Sequence, residues 1–130
     1  MDFLQKARDF FKNDIYATET TGIIIDDVRE NYARCSLEID RRHMNAGNVA
    51  MGGAIFTLAD FTFAVAANTN EAVTVSLSSN ITFLTACRGK KLIAEAICEK
   101  SGRNTCSFRI DIHDDTGAHI ASVSTLGFKK

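Results

Sequence analysis

Fifteen consecutive residues, Ala54 to Asn68, are apolar or neutral except for one charge, Asp60. The run is too long for an ordinary strand, and its alanines fall on all sides. The spacing therefore predicts a helix buried over most of its surface. Gly52 and Gly53 stand directly before it, where the helix should begin. A helix of this kind has to be wrapped by other elements, and the remainder of the chain reads mostly as strands.

From Gly22 to Asp40 the period changes to two. Ile23, Ile24 and Ile25 lead into a polar turn over Asp26 to Asn31, after which Ala33, Cys35, Leu37 and Ile39 alternate with Arg34, Ser36, Glu38 and Asp40. This predicts a hairpin with one buried face. Past the apolar helix, Val73, Val75, Leu77, Ile81 and Phe83 alternate with polar residues and are expected on one face. Strands over 92–99, 105–113 and 118–128 follow, joined by turns at Arg88-Gly89-Lys90, Ser101 to Asn104 and Asp114 to Gly117. The pattern is that of an antiparallel meander. At the front, Phe3, Leu4, Ala7, Phe10 and Phe11 sit at helical spacing within 2–13. Asp2 is placed to cap that helix, and Gln5 to complete a capping box. The compact solution is an α+β fold, a curved antiparallel sheet wrapped around one long central helix.

At 130 residues and 45% hydrophobic content the chain is sized for one domain, 1–130, with one core. A net charge of −1 argues against a nucleic-acid partner. With no apolar run near 18 residues and no basic-then-apolar leader, no membrane association is expected and the location is expected to be cytoplasmic. Cys35, Cys87, Cys98 and Cys106 lack C-x-x-C spacing and His43, His113 and His119 are dispersed. Reduced core cysteines are expected, with neither a metal nor another cofactor.

Asp60 asks for an explanation. A carboxylate in an apolar helix must be hydrogen-bonded, shifted in pKa, or aimed at a water-filled cleft. One reading is structural, with the acid satisfied by Thr57 or by loop amides. The other is catalytic, because the helix start at Gly52-Gly53 offers backbone N–H groups without intrahelical partners, suited to hold an oxyanion. Gly53 and Asp60 are separated by roughly 10 Å of helix rise at about 1.5 Å per residue, too far for both to act on one carbonyl. A two-fold dimer that brings Asp60 of one copy to the diglycine of the other would close the gap twice.

At these residues the chain resembles the hotdog-fold thioesterases of the phenylacetate-degradation, or PaaI-like, group. The shared features are His43-Met44-Asn45 with Gly47 nearby, Met51-Gly52-Gly53, Leu58-Ala59-Asp60, and Asn80-Ile81-Thr82-Phe83-Leu84, and they run in order along nearly the whole chain. The resemblance implies hydrolysis of an acyl-CoA thioester with Asp60 as general base or nucleophile. It further implies Gly52, with Gly53 beside it, as oxyanion donor, Asn45 as a polar positioning residue, and Ser76 as an orienter of the attacking water. His43, Met51 and Phe83 are the candidates for touching substrate, although His43 reads equally well as a loop residue bonding backbone. A homodimer, often paired into a homotetramer, is the assembly implied. Two departures stand out. Met51 occupies the position of the group's usual histidine, and Gly47 falls one position early, leaving Asn48 where the glycine normally stands. Two other functions on the same fold remain open, a non-catalytic acyl-CoA-binding module, which Met51 favours, and a hydratase, which the missing histidine disfavours.

Overall fold

The computed structural model describes residues 2–70 and 73–130. Helix α1 (Phe3–Phe11) begins at Asp2, whose carboxylate accepts from the Gln5 amide at 2.8 Å, and it ends two residues before the predicted limit. A π-helical turn, Tyr16–Thr21, follows and closes at Gly22. Strands β1 (Ile24–Arg29) and β2 (Tyr32–Glu38) form the hairpin, and a short 3-10 turn at Arg41–His43 leads toward the central helix α2 (Gly52–Ala67). Four strands complete the chain: β3 (Thr74–Phe83), β4 (Lys91–Ser101), β5 (Thr105–Asp114) and β6 (His119–Lys129).

The six strands make one sheet in the order β1-β2-β4-β5-β6-β3, every neighbouring pair antiparallel. Its inner face presents small residues in the middle, Ala33 and Cys35 on β2 and Ala94 and Ala96 on β4, so the helix backbone can approach closely. Toward β5 the side chains become large, and Phe108 meets Phe63 of the helix edge-to-face with ring centroids 5.3 Å apart. The helix contributes Leu58, Ala59, Thr62, Phe63, Val65 and Ala66 to this interface, all fully or almost fully buried. Thr62 is tolerated there because its hydroxyl donates to the Leu58 carbonyl at 2.7 Å. Among the described residues no helix is long and apolar enough to cross a membrane. All four cysteines are free thiols, and burial pushes the Cys35 thiol up to about 12, leaving it inert as a nucleophile.

Two expectations about strands are corrected. Asp26 to Arg29 is not a turn; β1 continues through Arg29 and only Glu30-Asn31 reverse the chain. A bulge between Ile25 and Asp27 takes up the extra aspartate and lets Val28 return to the core opposite Ala33. Asn31 takes the positive φ of 55° that so tight a reversal requires. In β3 the apolar residues do not share one face. The register with β6 slips between Ser76 and Ser78, so Val75 lies opposite Phe128 on the outer face whereas Ile81 lies opposite Val123 on the inner one. Leu77 sits in the bulge.

Candidate functional site

The N-terminal end of α2 is prepared by the loop before it. Asp40 accepts from the Arg42 amide and side chain, which hold its carboxyl at about 2. Asn45 folds the next segment, its Oδ1 accepting from the amides of Gly47 (2.8 Å) and Val49 (3.2 Å). The residue that takes a left-handed conformation is Asn48, with φ 63°, not Gly47. Asparagine tolerates that region better than most side chains, so the displaced glycine is explained. The Met51 carbonyl accepts from Ala54 and Ile55, and its own amide donates to the His43 carbonyl at 2.7 Å. The Gly52 and Gly53 amides have no acceptor among the described residues. A Cβ on Gly52 would stand 3.1 Å from Cζ of Phe83, so that ring, which crosses the helix start, would have to give by a few tenths of an ångström; on Gly53 it would meet nothing within 4 Å. An open cleft of about 430 Å³, lined by Gly52, Phe83 and Leu84 among others, lies at this helix start.

Asp60 lies on the side of α2 turned away from the sheet, in line with Gly53, Thr57 and Ala64 at helical spacing. It is exposed in the single chain but recessed in a separate cleft of about 320 Å³, whose far wall is Asp14, Ile15 and Tyr16. The structural explanation through Thr57 fails, because the Thr57 hydroxyl donates to the Gly53 carbonyl at 2.8 Å. The Asp60 carboxylate has no hydrogen-bond or ion-pair partner among the described residues. Partial burial first, and the neighbouring Asp14 charge second, push its carboxyl above the ordinary value. An unpartnered acid of raised basicity at a cleft wall is equipped to accept a proton.

These two clefts share no lining residue. Eight residues separate Gly52 from Asp60, about 12 Å of helix at 1.5 Å per residue. One chain thus holds an amide half at the helix start and a carboxylate half at Asp60, out of reach of one another.

The other predicted residues fall in three places. Met51 is exposed at the lip of the amide half and Phe83 covers it. Ser76 stands on the open edge strand beside the bulge, opposite Gly127, and does not line the Asp60 cleft. His43 departs from its expected substrate contact. It is buried, Nδ1 accepts from the Asp40 amide at 3.0 Å, and Nε2–H therefore donates to the Thr21 carbonyl at 2.7 Å. Both ring nitrogens are engaged, so the side chain braces the π-turn against the loop that carries Gly52. What the sequence did not reveal is the Asp14-Ile15-Tyr16 wall, which has no periodicity and comes to Asp60 only through the tertiary fold. The sole signal was its pair of large exposed side chains following a helix end.

Comparison with known proteins follows the same lines. The thioesterase superfamily family model matches residues 47–121. An Archaeoglobus fulgidus chain, provisionally classed as an esterase, is 32% identical over 120 residues, 91% of this chain and 77% of that one. Escherichia coli acyl-coenzyme A thioesterase PaaI is 30% identical over 109 residues, 83% of this chain and 77% of its own length. The solved structure of the Escherichia coli PaaI protein superposes with a TM-score of 0.92 at 25% identity, covering 98% of this chain and 93% of that one.

Proposed function

Because the chain belongs to the thioesterase superfamily, as a hotdog-fold thioester hydrolase of the PaaI-like group, we propose that it hydrolyses acyl-CoA thioesters at a site shared between two subunits. The observation that carries the shared site is the division of one helix into two unconnected half-sites about 12 Å apart. In a two-fold pair the thioester carbonyl sits between the Gly52 amide of one copy and Asp60 of the other. The amide donates to the carbonyl oxygen and its bond strengthens as negative charge develops there; a donor of this type is worth about 10²–10³ in rate. Asp60, acting as base, takes a proton from a water that attacks the carbonyl carbon. The tetrahedral intermediate collapses, the C–S bond breaks, and the thiolate leaves and is protonated to free CoA.

Acting as nucleophile instead, Asp60 attacks the carbon directly, and water then cleaves the resulting mixed anhydride. Repeated turnover in ¹⁸O water separates these routes, since only the second, with water attacking the Asp60 carbon of the anhydride, places label in the Asp60 carboxylate. Asn45 folds the loop that leads to the amide half, Met51 directly precedes it, and Ser76 lies on the edge strand. Met51 supplies no hydrogen bond beside the oxyanion, so turnover is expected to be modest. The decisive assay is thiol release from acyl-CoA followed with a thiol-reactive dye. Asp60→Asn is expected to abolish it, by about 10³-fold or more, with the fold intact. In the native protein the acid limb of kcat/KM should lie above the ordinary aspartate value, because the base must be deprotonated and its pKa is raised. Turnover unaffected by Asp60→Asn would defeat the reading.

A further inference from the structure

The proposed mechanism leaves one carboxylate without a task. Asp14 stands on the cleft wall facing Asp60, between the end of α1 and the π-turn. Its backbone is committed, the N–H donating to the Phe11 carbonyl at 2.9 Å and the carbonyl accepting from the Thr18 amide and hydroxyl at 2.9 and 3.0 Å. Its carboxylate has no hydrogen-bond or ion-pair partner among the described residues. Beside it Ile15 and Tyr16 turn their side chains outward, 52% and 67% exposed.

The wall is fixed from behind. Arg42 Nη1 donates to the Thr20 carbonyl at 2.9 Å, His43 Nε2 to that of Thr21, and the Gly22 and Ile23 amides to that of Ala17. Asp14, Tyr16 and Asp60 are the titratable groups lining the cleft, and no cation joins them among the described residues. The strands under α2 present apolar side chains and the buried Cys35 thiol, on the opposite side of the helix from Asp60. The rest of the lining, Ala17, Thr57, Phe61 and Ala64, is uncharged.

Coenzyme A carries several phosphate charges, which a recess with two carboxylates and no cation repels. The recess therefore suits the acyl side of a thioester held at Asp60. We propose that Asp14 is a specificity-determining residue of this site, its carboxylate at the acyl end admitting neutral apolar acyl groups and turning away those that end in a carboxylate. Ile15, Tyr16 and Phe61 supply the apolar contact, and Asp14 supplies the exclusion. This inference rests on the acyl-CoA thioesterase reading above. A like charge within a few ångströms in a partly desolvated cleft is worth about one to two decades in partition.

The test compares hexanoyl-CoA with adipoyl-CoA, which match in chain length and differ in a terminal carboxylate. The native protein should prefer the hexanoyl thioester in kcat/KM by about tenfold or more. Asp14→Asn, nearly isosteric, should bring the ratio close to one, and Asp14→Arg should invert it. A loss of folded protein lowers both rates together and leaves the ratio unmoved, so a merely structural role is distinguished. Removing the like charge should also move the acid limb of kcat/KM to lower pH in Asp14→Asn, because Asp60 then deprotonates more easily. Asp60-dependent hydrolysis with the same ratio in all three proteins overturns this inference and leaves the thioesterase reading standing. Absence of hydrolysis of either thioester by the native protein overturns both.

Discussion

The sheet has two edges, and they are treated in opposite ways. The β1 edge is six residues long, carries Asp26, Asp27 and Arg29, and is bulged. Helix α1 lies against it, and Arg8 donates through Nε and Nη2 to the Ile25 carbonyl at 3.1 and 2.7 Å. Short, charged, bulged and covered are the devices by which an edge strand avoids joining another. The β3 edge is ten residues long, has neither acid nor base, and leaves Val75, Leu77 and Phe83 exposed, Leu77 at 57%. Nothing in the chain covers it among the described residues. The contrast teaches that one side of the sheet is closed off and the other is left open, which is the side where the Ser76 hydroxyl and the Phe83 ring over Gly52 also lie.

If β3 is where a second copy joins, a charge placed there should do far more harm than one on β1. Val75→Asp with Leu77→Asp should yield a folded monomer in light scattering and lower kcat/KM by about 100-fold or more, since each half-site loses its complement. A fully active monomer would break the comparison. A smaller effect is expected from uncovering the closed edge. Arg8→Ala removes two charge-assisted bonds to one carbonyl and should lower stability by about 1–2 kcal/mol in urea denaturation, with kcat unchanged. Smallest of all, Ile24→Lys adds a charge to an exposed position of the already guarded strand, and should alter assembly not at all and stability by within about 0.5 kcal/mol. A change of oligomeric state in Ile24→Lys would mean that the guarded edge is in fact the joining one.

The contrast between the edges was only half legible beforehand. The order of elements, the buried helix and the meander followed from periodicity, because one face of nearly every strand is apolar and the run 54–68 has no polar face to confuse it. Within β3 the stretch Ser76-Leu77-Ser78-Ser79 has too little hydrophobic contrast to show where its face changes, so the bulge was invisible and Val75 and Ile81 were placed together. Asp26 and Asp27 look like a turn by composition, yet Asp27 pairs with Arg34 and Val28 is buried opposite Ala33, so the strand runs on past them.

The site divides in the same fashion. Asp60 was conspicuous as the lone charge in a long neutral run, and the diglycine as the start of that run. His43 was not legible, since its residue type suits a ligand contact as well as a brace, and only its two bonded nitrogens decide. Asp14 was hidden because 46 residues of chain separate it from Asp60 and neither periodicity nor spacing records that approach.

Subunit complementation tests the shared site most directly. Asp60→Asn and Gly52→Val are each expected to be nearly inactive, the second because its side chain drives into Phe83 and displaces the oxyanion donor. Mixed in equal amounts through unfolding and refolding, they should form hybrids in which one of two sites has both native halves, recovering about a quarter of native activity. A mixture no more active than the average of its two components would contradict a site built across subunits.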